Sequence, residues 1–441
     1  MTTYSPSSLS SWLATTEGGP PQIANDVDLS LPPPTKKAKT AKTVKPAKPS
    51  AGKARKIRVY PNPRQRSLLQ QWFGTARWIY NQCVAQVKTL TTKKALRTAI
   101  VNNDNYATEN TWVRQVPYEV RDAAMVDLIN ARKSNLAKWK KNHAHTFTLK
   151  YRSRKASQEA IMIRGRCFKK NLFYPQFWGK EPLRSSEPLP ESVDYDCKLV
   201  RTRLNQYYLC IPMPLETASD NQARQSNRIV ALDPGVRTFH TAYDPTGAVM
   251  EFGKGDIGHI YRICAHMDKL QSRLALDKTV RHKRRYRMRR AWRKMQWRIR
   301  NLVDECHKKI VKFLCANYSV ILLPSFETQQ MVVRNQRKIG SKTARAMITW
   351  SHYRFKQRLL FKQQEYPWCK VAICNEAYTS KTCGQCGRLH HALGGSKTFH
   401  CPSCGLKADR DAHAARNILL KNMSFLDLRV EETLGLHPSS L

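Results

Sequence analysis

Two cysteine knuckles constrain this chain more than any other feature: Cys383-Gly-Gln-Cys386, fourteen intervening residues, then Cys401-Pro-Ser-Cys404. Four thiolates at that spacing can close a tetrahedron around one zinc ion, and the glycine after each second cysteine allows a tight turn. A redox CxxC is the alternative chemistry, but two pairs with matched glycines favour zinc. His390, His391 and His400 are expected to stay off the metal. The other nine cysteines are scattered through apolar or basic segments, which fits a reducing compartment with one structural zinc rather than a disulfide scaffold. The knuckles run straight into Asp409-Arg-Asp411-Ala-His-Ala-Ala-Arg-Asn417, which places an inserted module beside a group of acids.

What those acids act on is indicated by charge. The 441 residues carry 77 Lys and Arg against 32 Asp and Glu, a net charge of +45. Self-repulsion on that scale calls for a polyanionic partner, and nucleic acid is the leading candidate. No apolar run approaches the length of a membrane span, and no signal-peptide pattern opens the chain, so a membrane partner is not expected. A chain this long implies two or three domains.

Residues 1–55 are rich in Ser, Thr and Pro and then in Lys, with too little to bury, and read as a disordered basic tail. Pro34-Thr-Lys-Lys-Ala-Lys39 and Lys45-Pro-Ala-Lys-Pro49 fit a nuclear-import address or a loose phosphate-binding tail. A short strand at Ile57–Tyr60 precedes a helix with Leu68, Leu69, Trp72, Phe73, Ala76, Ile79, Tyr80 and Val84 at helical spacing. A second helix after Pro117 presents Val120, Ala124, Leu128 and Ala131. Between 145 and 215 short alternating segments, among them Phe147–Tyr151, predict a barrel-like β domain. The polar stretch 216–227 reads as a linker.

From 228 onward the pattern is a three-strand meander beginning Ile229-Val-Ala-Leu-Asp233, a long helical region to about 316, the strand Val320–Leu323, a helix over 342–365 and the strand Val371–Glu376. Residues 281–300 hold eleven Lys or Arg and no acid. Met288, Trp292, Met295, Ile299 and Leu302 form a seam there that is expected to pack on a partner helix, leaving a basic face for phosphates. Carboxylates gathered at the ends of neighbouring elements are what a two-magnesium phosphodiesterase needs. Asp409 is expected to cap the last helix. Asp411 shares a stripe with Ala415 and Ile418, so it should face the body of the protein. Asp244 belongs to a Pro-Thr-Gly turn and reads as structural.

Leu232-Asp-Pro-Gly235, Tyr378-Thr-Ser-Lys-Thr-Cys-Gly-Gln-Cys386, Cys401-Pro-Ser-Cys-Gly405 and Asp409-Arg-Asp-x-x-Ala-Ala-x-Asn417 together resemble the RuvC nuclease of the TnpB family of RNA-guided DNA endonucleases. Tyr60-Pro-Asn62, Gln65, Phe73-Gly-Thr-Ala-Arg77 and Tyr80-Asn81 resemble its amino-terminal signature. The likeness spans about residues 56–421. Pro324 stands where the family strand ends in the second catalytic glutamate. The eukaryotic and viral Fanzors share that loss and carry a shifted glutamate, a place taken here by Glu376, with Glu327 as the competitor. His413 replaces the family's usual asparagine.

The resemblance implies a multidomain α+β protein. Its parts are a basic tail (1–55), a wedge-like β-barrel (56–65 and 145–215) with an inserted helical recognition domain (66–144), and the linker. They continue with an RNase H-like RuvC domain (228–378 and 409–425), an inserted zinc ribbon (379–408) and a C-terminal tail (426–441). It further implies Asp233, Glu376 and Asp411 as catalytic magnesium ligands, Cys383, Cys386, Cys401 and Cys404 on zinc, and guide RNA and double-stranded target DNA as partners. The protein should act as a monomer in the nucleus. Guided binding without cutting, and an unguided resolvase or transposase, are the competing functions.

Overall fold

The computed structural model describes residues 51–434 apart from 88, 91, 143–147, 220–227 and 277–278, with side chains as far as Met423. The basic runs of the N-terminal tail, most of the linker and residues 435–441 lie outside the described residues. Among those described, no helix is long and apolar enough to cross a membrane.

Strand β1 (Ala51–Tyr60) takes in the last five residues assigned to the tail. Its ladder with β5 (Tyr207–Pro214), from Ala51 opposite Pro214 to Val59 opposite Tyr207, orders a segment that has little apolar surface of its own. Lys53–Glu216 and Arg55–Glu187 pairs at 3.3 and 2.6 Å flank it, but ion pairs this exposed contribute little. Asn62 then starts α1 (Pro63–Gln86) with a full capping box: the Gln65 N–H donates to Asn62 Oδ1 at 2.8 Å and the Asn62 N–H donates to Gln65 Oε1 at 3.0 Å. The Pro-Asn…Gln signature is therefore a helix start.

Helices α1 and α2 (Tyr118–Lys141) lie between β1 and β2 (Gln158–Ile163) in the chain and pack on the sheet, burying Leu69, Trp72, Phe73, Val120 and Leu128 with Ile57, Ile161 and Leu209. Other signature residues of α1 hold the segment that leads to β2. Arg77 pairs with Glu159, and Asn81 exchanges hydrogen bonds with the Arg152 backbone at 2.8 and 3.1 Å. The strand order is β2-β4-β5-β1-β3, with β3 at Arg184–Ser185 and β4 at Cys197–Thr202. β2 and β3 stand at its two edges, so the described residues form an open sheet rather than the expected barrel. Residues 148–151 are not a strand, because no neighbour offers them a ladder.

The second sheet runs β8-β7-β6-β9-β10, where β6 is Ile229–Pro234, β7 His240–Tyr243, β8 Val249–Phe252, β9 Val320–Pro324 and β10 Lys370–Cys374. β6, β7 and β8 form the antiparallel meander, while β9 lies parallel to both β6 and β10. Central strands covered on both faces must be apolar throughout, as Ile229-Val-Ala-Leu232 and Val320-Ile-Leu-Leu323 are. Val230 and Leu232 face a core built with α3 (Asp256–Leu276), α4 (His282–Asn317), α5 (Ser341–Trp350) and α6 (His352–Lys362). Ala231 faces the other way, onto Ile418 and Leu419 of α7 (Arg410–Leu434). By strand alternation Asp233 follows Ala231 to the α7 side.

Three expectations are corrected here. The helix over 342–365 is two helices, because Ser351 adopts a left-handed φ of 53°; the turn lets Trp350 and Phe355 both enter the core. The 288–302 seam is only half-buried along α3, and Leu302 is exposed, since α4 first becomes fully buried at Val303. The last helix runs on to Leu434, beyond the expected end of the domain at 425.

Candidate active site

Three carboxylates come together at one end of the second sheet, each delivered by a different element. Asp233 is the next-to-last residue of β6, paired with Thr241. Glu376 lies two residues past β10, in a turn fixed by Asn375 Oδ1 accepting the Ala377 N–H at 2.7 Å and by Thr379 Oγ1 donating to the Glu376 carbonyl at 2.9 Å. Asp411 occupies the first turn of α7, where the positive helix end favours an anion. Asp409 is the cap, accepting the N–H groups of Asp411 and Ala412 at 3.0 Å each. Asp411 is exposed at the rim, not turned inward like Ala415 and Ile418 of its stripe.

Asp233 feels the charge of the other two carboxylates. Burial first, and then the negative charges of Asp411 and Glu376, hold the Asp233 carboxyl well above the usual carboxylate range, against the opposing charge of Arg410. Burial also pushes Glu376 up. Asp411 is raised by the protein packed around it and by Asp409, with Arg410 and Arg237 opposing. Such crowding of hard oxygen donors suits a divalent cation. Among the described residues the only set of three or more His, Cys, Asp or Glu ligand atoms within 4.8 Å of one another is the cysteine quartet, so the three carboxylates span a wider space. Glu327 is not part of the group. It lies exposed three residues beyond Pro324, on a cavity of about 300 Å³ that Pro234, His240 and His352 also line, and it is not among the charges that shift Asp233. Asp244 is buried in its turn, accepting the Thr246 and Ala248 N–H groups at 3.0 and 3.2 Å.

The ribbon pairs β11 (Thr398–His400) with β12 (Lys407–Asp409), and β12 leads directly into α7. Cys383 and Cys404 stand 3.6 Å apart at sulfur, as do Cys386 and Cys401. A tetrahedron of sulfurs about 2.3 Å from zinc has edges of about 3.8 Å, so the quartet fits the ion. Backbone N–H groups of Cys404 and Ser403 lower the Cys401 thiol, while its sulfur neighbours raise that of Cys404, so the four sulfurs share their protons. His413, whose role the sequence leaves open, is buried and bonds into the ribbon, as do Arg416 and Asn417. Their shared face on α7 was legible from the i, i+3, i+4 spacing; their backbone partners were not.

Basic side chains of the first sheet approach α4 elsewhere. Lys56 of β1 sits 6.0 Å over the Trp297 ring of α4, and Arg203 has its pKa lowered by burial and then by Arg293. α4 carries no acid before Asp304, which pairs with Arg354 and Arg358.

Fold and site thus define a mixed α/β protein with a carboxylate group at the end of its second sheet and a four-cysteine ribbon inserted before the last helix. Residues 352–418 match the Cas12f1-like TNB domain family, and residues 52–93 match a helix-turn-helix domain family, although here that stretch is β1 followed by the single long α1. Putative transposase A625R of Paramecium bursaria Chlorella virus 1 is 30% identical over 390 residues, covering 84% of this chain and 87% of the relative. TnpB-like protein L79 of Acanthamoeba polyphaga mimivirus is 26% identical, over 82% and 72%. A putative RNA-guided DNA endonuclease of Streptomyces pristinaespiralis is 26% identical, over 84% and 90%. The chain belongs to the TnpB-like transposase family.

Proposed function

We propose that the chain is a Fanzor-type, RNA-guided endonuclease that cuts double-stranded DNA with Asp233, Glu376 and Asp411. The observation that carries this reading is that Asp233, at the end of β6, lies close enough to Glu376, in the turn after β10, and to Asp411, at the start of α7, to feel the negative charge of both. Two ions fit the wide spacing of the group better than one. When bound, Mg²⁺ polarises a phosphoryl oxygen and makes a water molecule acidic enough to attack. Asp233, half-buried and raised, keeps the innermost oxygen donors, with Glu376 and Asp411 near it. Arg237 and Arg410 put positive charge where a backbone phosphate would rest. Zinc, held by Cys383, Cys386, Cys401 and Cys404, is structural.

Lys56, Arg203, Arg293 and the exposed arginines of α4 would track nucleic-acid phosphates, with the guide RNA reading sequence by base pairing. The protein acts as one chain on its RNA, and the basic runs at 34–49 direct it to the nucleus. The test is to sequence the RNA that co-purifies with the protein. A single structured species with a variable end, whose replacement redirects cutting to a new DNA site, supports guiding. Heterogeneous RNA, or cutting indifferent to it, overturns it.

A further inference from the structure

Arg410, next to Asp411 in the chain, and the following turn of α7 grip the ribbon. Arg410 donates through Nη1 to the carbonyls of Gly394 and Ser396, at 3.0 and 3.3 Å. His413 Nε2 accepts the Gly384 N–H at 2.9 Å, and Arg416 Nη1 donates to the Gly384 carbonyl at 3.0 Å. Asn417 Nδ2 donates to the carbonyls of Thr379 and Thr382, each at 2.8 Å. The His413 ring stacks 4.2 Å from that of Phe399, which is fully buried in the ribbon's small core with Cys383 and Cys401.

These bonds join the two outer carboxylates. Thr379 donates to the Glu376 carbonyl, Asn417 donates to the Thr379 carbonyl, and Asn417 shares a helix with Asp411. Gly384, inside the first knuckle, leaves no slack: a Cβ there would come within 2.4 Å of Arg416 Nη1 and 2.7 Å of Asn417 Oδ1. Next to the contact a cleft of about 400 Å³, bordered by Tyr243, Leu406, Ala408 and Ala412, separates ribbon from body. Directed hydrogen bonds and the His413–Phe399 stack therefore carry the contact beside this cleft.

We propose that His413 is a positioning residue that transmits the closed cysteine knuckle to α7 through the Gly384 N–H, and so sets Asp411 relative to Glu376. Cation affinity at the carboxylates then depends on ribbon attachment. The inference rests on the reading of Asp233, Glu376 and Asp411 as cation ligands.

The experiment is calorimetric binding of Mn²⁺ to the full-length, zinc-replete protein, with zinc content measured for each variant. His413→Phe keeps a ring against Phe399 but offers no acceptor; His413→Gln keeps an acceptor at similar reach. Expected are a loss of Mn²⁺ affinity of about tenfold or more for His413→Phe, near wild-type affinity for His413→Gln, and one zinc in both. Asp411→Asn is the control and should abolish high-affinity Mn²⁺ binding. If it does and His413→Phe binds like wild type, or if both His413 variants weaken equally, the positioning role is wrong. Loss of zinc from His413→Phe would likewise overturn it, making His413 part of the ribbon's own fold. If Asp411→Asn leaves Mn²⁺ binding unchanged, the carboxylate reading itself fails.

Discussion

Acidification from pH 7 to pH 4 should destabilise the second sheet and its helices through His307, which is fully buried in α4 and stacked 4.9 Å from the Phe239 ring. Its bonds assign the proton: Nε2 donates to the Trp350 carbonyl at 2.9 Å, and Nδ1 accepts from Arg358 Nη1 at 3.2 Å. Burial, followed by the Arg358 charge, pushes its pKa down from 6.5 to about 4. The folded state thus holds a neutral ring where the unfolded chain takes up a proton. Its stability is complete above about pH 6.5 and falls as the pH drops toward 4, by about 3 kcal/mol in all. His307→Gln keeps one donor for Trp350 and one acceptor for Arg358 but cannot titrate. It should cost about 1 kcal/mol at pH 7 from the lost ring stacking. Between pH 6.5 and 4.5 its stability should decline less steeply than wild type. His352, pushed down to about 3, and His240, held well below its usual range, add to the acid dependence in the same sense, and both are buried beside Phe239; the raised carboxyls of Asp233, Glu376 and Asp411 act in the opposite sense. Urea unfolding followed by tryptophan fluorescence across this pH range measures it. An acid limb as steep in His307→Gln as in wild type would refute the reasoning.

Three other outcomes are expected. Glu376→Gln should reduce Mg²⁺-dependent cleavage as severely as loss of Asp233, and Glu327→Gln only mildly; the reverse order in a cleavage assay would reassign the second carboxylate to the β9 side. Replacing Arg287, Arg290, Lys294 and Arg298, all exposed on α4, with glutamine should flatten the salt dependence of nucleic-acid binding, by a slope of about one for each phosphate no longer neutralised. An unchanged slope in a salt titration would remove α4 from the interface. Gly384→Ala should lower the ribbon's thermal stability and its zinc retention, because its Cβ meets Arg416 and Asn417; unaltered zinc release to a chelator would contradict that.

The site was more legible in the sequence than the fold around it. Apolar strands ending in an acid, a fixed cysteine spacing and an acid one turn into a helix are local patterns, and strand alternation sends Asp233 to the α7 face without further information. The choice of Glu376 over Glu327 came from the family resemblance and from the Pro324 break before Glu327; in the fold Asp233 feels the charge of Glu376. What stayed hidden depends on partners distant in the chain. Residues 51–55 become a strand only because β5 supplies a ladder about 160 residues later. Ser351 breaks a helix that periodicity alone would continue, because Trp350 and Phe355 must both reach the core. The bonds of His413 and Asn417 go to backbone groups of Gly384, Thr379 and Thr382, which carry no side-chain signature.

The central claim is that Asp233 and Asp411 cut while the rest of the chain binds. The direct measurement is cleavage of target DNA by the RNA-loaded protein in Mg²⁺, alongside RNA and DNA binding, for Asp233→Ala and Asp411→Ala. Cleavage should vanish in both variants with RNA and DNA affinity near wild type. Persistent cleavage, or loss of binding in step with loss of cutting, would contradict the claim.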